Sequence, residues 1–63
     1  MFTREQLAQG LHSEICSADP VIDGEEYSVM ETEASGSEIL IGLEDESGRT
    51  YSARLVVVEV WAD

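Results

Sequence analysis

The chain has no lysine and only one cysteine, one proline and one histidine among its 63 residues. The single cysteine, Cys16, excludes an internal disulfide and is typical of a reducing compartment. The longest apolar run, Leu55 to Val58, is far too short to span a bilayer. The N-terminal residues do not show the basic stretch followed by an apolar stretch that is typical of a signal peptide. We therefore expect a single cytoplasmic domain over residues 1–63, marginally stable because so short a chain buries only about 60% of its unfolded surface.

Negative charge dominates the composition. Fourteen Asp and Glu residues stand against three arginines, which gives a formal net charge of −11. Nucleic-acid phosphates and anionic membranes would repel such a chain, so direct binding to either is not expected. The same charge favours a basic protein as partner. Because 43% of the residues are hydrophobic and they recur periodically, the sequence is not that of a disordered acidic tail.

The N-terminal residues contain a helix start signal. Thr3 suits an N-cap, and Gln6 completes a capping box with it. Asp19-Pro20 ends the helix, because the residue before a proline avoids helical geometry. We therefore predict a helix over about residues 3–17. Its apolar stripe is formed by Leu7, Leu11 and Ile15, with Ala8 and Cys16 beside them.

Three strands are expected after a turn at Asp23-Gly24. Residues 27–34 and 37–44 alternate between apolar and polar side chains, and residues 50–61 are rich in β-branched residues. The predicted fold class is α+β, with one N-terminal helix packed on a three-stranded antiparallel meander (α-β-β-β).

The stretch GLEDESGRT, residues 42–50, predicts the turn of the second hairpin. A three-residue loop over residues 46–48, with Gly48 in the left-handed conformation, places Asp45 opposite Arg49. The pairs that follow are Leu43 with Tyr51, Ile41 with Ala53, and Ile39 with Leu55.

The first hairpin is predicted to turn at Ser35-Gly36, which pairs Met30 with Ile41 and Thr32 with Ile39. The core face covered by the helix would then carry Met30, Ile39, Ile41, Leu43, Tyr51, Ala53, Leu55 and Val57. The opposite face would carry Tyr27, Val29, Glu31, Glu33, Glu38, Leu40, Glu44, Arg54, Val56, Val58 and Val60.

Two observations bear on that register. It places Glu33 directly across from Glu38, and like charges in a cross-strand pair are mildly destabilising. A shift of one residue would turn Val29 inward, but it would carry Glu31 and Glu33 inward as well. Buried carboxylates are costly, so the shifted register is disfavoured.

An acidic block occupies the middle of the chain. Residues 23–46 contain nine acids and no basic residue. One interpretation is a solvated surface that keeps the protein soluble, and a halophile's protein would look similar. The other interpretation is an electronegative surface that engages a basic groove. The candidate contact residues in that case are Glu31, Glu33, Glu38, Glu44, Asp45 and Glu46.

Metal binding and catalysis are both disfavoured. A calcium loop beginning at Asp45 would have Arg49 where an oxygen ligand belongs and Thr50 where a glycine belongs. His12 and Cys16 share one helical face, but two ligands are too few for a zinc site. A small buried thiol beside a partly exposed imidazole is the simpler interpretation. No orienting group or oxyanion hole accompanies them, so no catalytic residue, metal or cofactor is predicted.

Residues 55–63 offer a second candidate surface. With strand alternation, Val56, Val58 and Val60 leave the helix-covered face. They either belong to a strand buried on both sides by imperfect packing, or follow a bulge near Glu59, or form an apolar patch or open edge for dimerisation or docking. Trp61 would be a good interface anchor beside them.

In its general character the chain resembles the small acidic inhibitors encoded by phages, which include anti-CRISPR proteins and other DNA mimics. The residues that carry the resemblance are the nine acids from Asp23 to Glu46. The resemblance implies non-enzymatic, stoichiometric binding to a nucleic-acid-binding protein, with carboxylates standing where phosphates would lie. The implied target is a lysine- and arginine-rich groove, such as the DNA- or PAM-reading channel of a CRISPR effector complex in the host cytoplasm.

The alternative is a small acidic structural or accessory protein of a phage or a halophile. In that case the acids only solvate the chain, and it homodimerises through its valine-rich C-terminal strand. The chain itself leaves open whether the protein is a monomer or a homodimer.

Overall fold

The computed structural model describes residues 1–63 and has an α+β fold. Its elements, in chain order, are α1 (Arg4–Ile15), β1 (Val21–Ile22), β2 (Glu25–Glu26), β3 (Ser28–Ser35), β4 (Glu38–Glu44) and β5 (Thr50–Val56). The last three strands form one antiparallel sheet in the order β3-β4-β5, and β1 and β2 form a separate two-stranded sheet. The predicted helix and three-stranded meander are confirmed, and the β1–β2 hairpin is an addition to them.

α1 begins as predicted, at a capping box. The Thr3 hydroxyl accepts a hydrogen bond from the Gln6 amide at 3.1 Å, and the Gln6 side chain accepts one from the Thr3 amide at 2.8 Å. These bonds satisfy amide groups that a helix start otherwise leaves without partners. The helix ends at Ile15, with Cys16 as its C-cap. At 12 residues, α1 is not long and apolar enough to cross a membrane, and no other helix is present.

The buried face of α1 is centred on Ala8 rather than on the predicted leucine stripe. Ala8 is fully buried, whereas Leu11 is 42% exposed. His12 ties α1 to the sheet, because Thr32 Oγ1 donates to the His12 carbonyl at 3.3 Å and lies 3.0 Å from His12 Nδ1. Cys16, predicted as a buried thiol, is exposed.

Asp23 and Gly24 form the turn of the β1–β2 hairpin. Both have positive φ values, 53° and 80°, as the favoured two-residue hairpin loop requires. The Tyr27 amide donates to the Pro20 carbonyl at 2.9 Å and so extends the hairpin ladder by one bond. The turn was predicted, but the flanking strands were not, since two residues on each side show too little alternation to indicate a strand.

The β4–β5 hairpin has the predicted register. Gly48 is in the left-handed region with a φ of 89°, and the Asp45 amide donates to the Arg49 carbonyl at 2.9 Å. Three cross-strand pairs on the core face follow, namely Ile39 with Leu55, Ile41 with Ala53, and Leu43 with Tyr51.

The β3–β4 hairpin turns one residue later than predicted. Its two loop residues are Gly36-Ser37, so each residue near the turn pairs two positions further along β4, and Thr32 lies opposite Ile41 rather than Ile39. Gly36 has a φ of 61°, and a glycine tolerates this conformation at either position of such a loop. The predicted pairing of Met30 with Ile41 is wrong for the same reason.

A β-bulge at Met30 changes which side chains of β3 face the core. The pairing shifts between Glu31 and Val29, which lies opposite Leu43. The extra residue turns Val29 to the core face while Glu31 and Glu33 remain on the opposite face, which no regular register achieves. Met30, predicted in the core, is consequently exposed, and the assignment of Val29 to the opposite face was wrong.

β5 ends at Val56 rather than at the predicted residue 61. The Val57 amide makes one further bond, to the Ser37 carbonyl at 2.9 Å, and the chain then leaves the sheet. Arg4 Nη1 donates to the Val58 carbonyl at 3.4 Å, so the C-terminal residues run beside the start of α1. The valine-rich run predicted a longer strand because it has high β propensity. However, a strand also needs a partner, and β4 begins only at Glu38, opposite Val56.

Candidate partner-binding surface

The sheet face that points away from α1 is the surface that carries the predicted contact residues. We call it the outer face. Strand alternation assigns to it Ser28, Glu31, Glu33 and Ser35 of β3, Glu38, Leu40, Gly42 and Glu44 of β4, and Thr50, Ser52, Arg54 and Val56 of β5.

Four glutamates and one arginine give the outer face an excess of negative charge. Glu33 lies opposite Leu40 rather than opposite Glu38, so the predicted pair of like charges does not form. Arg54 Nη1 lies 4.0 Å from Glu38 Oε1, and the two side chains are 65% and 38% exposed. Such an exposed pair contributes little and leaves both groups available to a partner. The alternation of β3 and β4 therefore does bring Glu31, Glu33, Glu38 and Glu44 together on one face.

A shallow depression lies at the centre of the outer face. It is bordered by Glu31 on β3 and by Ser52 and Arg54 on β5, with Leu40 at one end. Gly42 forms its floor, and a Cβ placed there would lie 3.3 Å from Glu31 Cγ. The Glu31 side chain therefore leans over the backbone of β4. Sequence reasoning missed this feature, although a glycine within a strand pattern indicates a close approach.

Asp45, a predicted contact residue, has a structural role in the β4–β5 loop. Its Oδ1 accepts hydrogen bonds from the Ser47 hydroxyl at 2.7 Å, the Ser47 amide at 3.0 Å and the Arg49 amide at 2.9 Å. Its Oδ2 accepts one from the Tyr51 hydroxyl at 3.1 Å. These bonds, the Ser47 hydroxyl first among them, lower the pKa of Asp45 despite the opposing effect of desolvation. Its contact with a partner stays a prediction, as does that of the exposed Glu46.

Tyr27 joins the β1–β2 hairpin to the sheet. Its ring packs edge-to-face on Tyr51, with ring centroids 5.8 Å apart and planes at 73°. Desolvation raises the pKa of Tyr27, and the negative charge of Glu25 raises it further. Because Tyr51 is a core-face residue, the prediction that Tyr27 lies on the outer face is wrong.

The residues of the predicted C-terminal docking patch do not lie on one face of a strand. Val56 is the last residue of β5, and residues 57–63 are irregular. Val58 and Trp61 are 75% and 68% exposed, whereas Val60 is half-buried. Val58 and Val60 lie near Phe2 at the start of α1. The four residues therefore do not form the alternating strip that a longer strand would have provided.

The structure contains no group of three or more His, Cys, Asp or Glu side chains that could hold a metal ion. The two side chains at helical spacing have different partners. His12 Nδ1 lies within hydrogen-bond distance of Thr32 Oγ1, and the Cys16 thiol donates to the Ser13 carbonyl at a Sγ–O distance of 3.0 Å. They therefore do not converge on a common point.

Comparison of the chain with protein-family models, with curated proteins and with solved structures finds no match. Inferences about function accordingly depend on the geometry and charge of the surfaces themselves.

Proposed function

We propose that the chain is a non-enzymatic binding protein whose outer face occupies the basic nucleic-acid-binding site of a partner protein. The observation that carries this proposal is the arrangement of Glu31, Glu33, Glu38 and Glu44 on one sheet face with a single arginine among them. A sheet holds such carboxylates at fixed spacings, about 6.8 Å between alternate residues of a strand. A lysine- and arginine-rich groove would meet them as it meets phosphates.

The charge density of the whole molecule supports the proposal. A net charge of −11 along a molecule 40 Å long is about one charge per 3.6 Å, and one strand of duplex DNA carries one per roughly 3.4 Å. A groove whose field attracts a nucleic-acid strand would attract this molecule in the same way. Electrostatic attraction of this kind speeds association and makes it sensitive to salt.

The resemblance to phage inhibitors makes the proposal more specific. The partner would be a subunit of a CRISPR effector complex, and the chain would inhibit it stoichiometrically in the cytoplasm of the host cell. Glu46, at the tip of the β4–β5 loop, would contact the groove together with the outer face. Asp45 would hold the loop in the shape that presents Glu46, since its carboxylate accepts hydrogen bonds from Ser47, Arg49 and Tyr51.

Charge reversal of the outer face tests the proposal. In the first variant Glu31, Glu33, Glu38 and Glu44 are replaced by lysine. A matched control replaces four acids outside the outer face, Glu5, Glu14, Asp19 and Asp63, by lysine and changes the net charge by the same amount. Purified CRISPR effectors and other basic nucleic-acid-binding proteins serve as partners, and fluorescence anisotropy measures how far each variant displaces their labelled nucleic acid.

The outer-face variant is expected to lose about 100-fold or more in affinity, and the control is expected to keep most of it. Wild-type affinity is expected to fall steeply between about 50 and about 200 mM salt. Circular dichroism checks that both variants are folded. Affinity that survives the outer-face reversal and high salt would overturn charge mimicry.

Homodimerisation is a second candidate, favoured by the position of β5. This strand lies at the edge of the sheet, and Val56 and Val58 at and beyond its end are exposed. The acids would then only solvate a small structural or accessory protein. Light scattering on wild type and Val58→Lys distinguishes the outcomes: a dimer that dissociates in the variant supports this candidate, and a monomer in both excludes it.

A further inference from the structure

α1 covers only part of the core face of the sheet. It packs on β3 and, less extensively, on β4. β5 lies beyond β4 at the edge, and its core-face side chains Tyr51 and Leu55 remain 39% and 45% exposed. Only three residues of the chain are buried, so the hydrophobic core is incomplete on the side of β5.

The flank of α1 that faces β5 is apolar as well. The bond between His12 and Thr32 identifies the flank that lies over β3. The bond from Arg4 to the Val58 carbonyl, just beyond β5, identifies the opposite flank. Leu11 follows Arg4 by seven residues, close to two full turns, and therefore lies on the flank toward β5.

Leu7 extends the apolar flank toward the start of α1, because it precedes Leu11 by four residues and so lies on the same side of the helix. Leu7 is half-buried and Leu11 is exposed. We call the region between this flank and the edge strand the α1–β5 groove. Its residues are Leu7, Leu11, Tyr51, Ala53 and Leu55.

We propose that the α1–β5 groove binds an amphipathic α-helix with a basic outward face, supplied by a partner protein. Neighbouring strands lie about 4.8 Å apart, and packed helices lie about 8–10 Å apart. α1 is centred over β3 and β4, so a second helix at that distance is centred over β5. It would bury Leu11 and Leu55 between the helices and the sheet and complete the layer that α1 begins.

Charge distinguishes the occupant from a second copy of this chain. A second copy would bring another net charge of −11 against the first, which opposes association. A helix with lysine and arginine outside its apolar stripe would instead meet Glu14, which follows Leu11 by three residues on the same flank. This site lies across the sheet from the outer face and does not depend on it.

An NMR titration of the ¹⁵N-labelled chain tests the proposal with a defined probe. The probe is a designed helical peptide of about 18 residues, with leucine at i, i+3, i+4 and i+7 and lysine or arginine elsewhere. A peptide of the same composition, scrambled to remove the stripe, is the control. Only the striped peptide is expected to give saturable shift changes, and these should centre on Leu11, Tyr51 and Leu55. The amides of Glu31 and Glu33 should change little.

Two neighbouring residues of β5 supply matched variants. Leu55 and Val56 are similarly exposed but lie on opposite faces. Leu55→Glu should weaken peptide binding by about tenfold or more, and Val56→Glu should leave it unchanged. Leu11→Ser, on the other wall of the groove, should weaken it as well and serves if Leu55→Glu fails to fold.

Four outcomes would overturn the proposal. The striped and scrambled peptides bind equally, which indicates attraction by charge alone. The shift changes are confined to the outer face, or no saturable change occurs with either peptide. Alternatively, analytical ultracentrifugation detects a dimer that Leu55→Glu dissociates, which would show that a second copy fills the groove.

Discussion

The Tyr51 hydroxyl donates a hydrogen bond to Asp45 Oδ2 at 3.1 Å and so joins the start of β5 to the residue that follows β4. Asp45 Oδ1 accepts three further bonds from Ser47 and Arg49. All four donors present hydrogens to one carboxylate, and such bonds favour its ionised form, which is the stronger acceptor. The loop is therefore held by the charged form of Asp45, which explains why the pKa of Asp45 is lowered.

We expect Asp45→Asn to destabilise the fold at neutral pH, and the effect should depend on pH. A lowered folded-state pKa contributes stability that is fully present above the unfolded pKa, near about 4. This contribution is lost as the pH falls through the lower folded-state value. The penalty of the substitution should thus be constant above about pH 5 and should shrink below about pH 4. Urea unfolding followed by circular dichroism at several pH values measures it.

Glu46→Gln is the matched control for that experiment. Glu46 neighbours Asp45 and makes no hydrogen bond through its side chain, and each variant removes one negative charge. The comparison between the two variants therefore cancels the change in overall repulsion. Asp45→Asn should be the less stable variant at neutral pH, and the gap should close in acid. Equal stability of the two variants at neutral pH would contradict the structural role of Asp45.

The two hairpins differ in how far the sequence predicts them. The β4–β5 register follows from local chemistry, because Gly48 permits the left-handed conformation and fixes a three-residue loop. In the first hairpin, Gly36 fits either position of a two-residue loop, so local chemistry leaves two registers. The bulge at Met30 depends on the faces that Val29 and Glu31 must occupy, and those are decided by the assembled sheet.

The candidate site was likewise only partly predictable from the sequence. Strand alternation correctly placed Glu31 and Glu33 on the face away from α1, because an error of two positions in pairing leaves the faces unchanged. The role of Asp45 was not predictable, since it requires the Tyr51 hydroxyl to come within reach of its carboxylate. The position of α1 over β3 and β4 was not predictable either, because an apolar stripe does not indicate which strands it covers. The exposure of Leu55 follows from that position.

Adjacent residues of β4 provide a test of the two faces. Ile39 is 2% exposed and Leu40 is 41% exposed. Ile39→Ala should cost about 2–5 kcal/mol of unfolding free energy, because it leaves a cavity in a small core. Leu40→Ala should cost about 1 kcal/mol or less, as surface substitutions do. Urea unfolding of both variants measures the difference, and similar losses would show that the faces are assigned wrongly.

The capping box at the start of α1 predicts a defined loss on substitution of Thr3. Thr3→Ala removes the hydroxyl that accepts from the Gln6 amide and should lower stability by about 1 kcal/mol. Thr3→Ser keeps an oxygen at the same position and should be nearly neutral. Urea unfolding followed by circular dichroism measures the stability of both variants. Equal losses in both would indicate that the threonine methyl group, rather than the cap, stabilises the helix start.

Cys16 should react with a thiol reagent in the folded protein. Its side chain is exposed at the C-cap of α1, so modification does not require unfolding. The reaction rate with a colorimetric disulfide reagent should therefore change little when urea is added below the unfolding transition. Cys16→Ser should alter the unfolding free energy by no more than about 0.5 kcal/mol. A thiol that reacts only after unfolding would show that the end of α1 is covered.

The salt dependence of folding tests whether the acids are an adaptation to molar salt. A net charge of −11 repels itself in the folded state and lowers stability at low salt. Between about 0.01 and 0.15 M salt the screening length falls from roughly 30 Å to roughly 8 Å, well below the 40 Å length of the molecule. If the acids are not an adaptation to molar salt, the melting temperature should rise over this range and then level off.

An acidic surface adapted to a halophile predicts a different curve, in which the chain is unfolded at low salt and gains stability into the molar range. The outer-face lysine variant sharpens the measurement. Four reversals, each worth two charges, bring the net charge from −11 to −3, so screening should stabilise the variant much less than the wild type. Thermal unfolding of both proteins in sodium chloride, followed by circular dichroism, gives the two curves. A wild-type chain that folds fully near 0.15 M would mean that its acids are not there to sustain folding in molar salt.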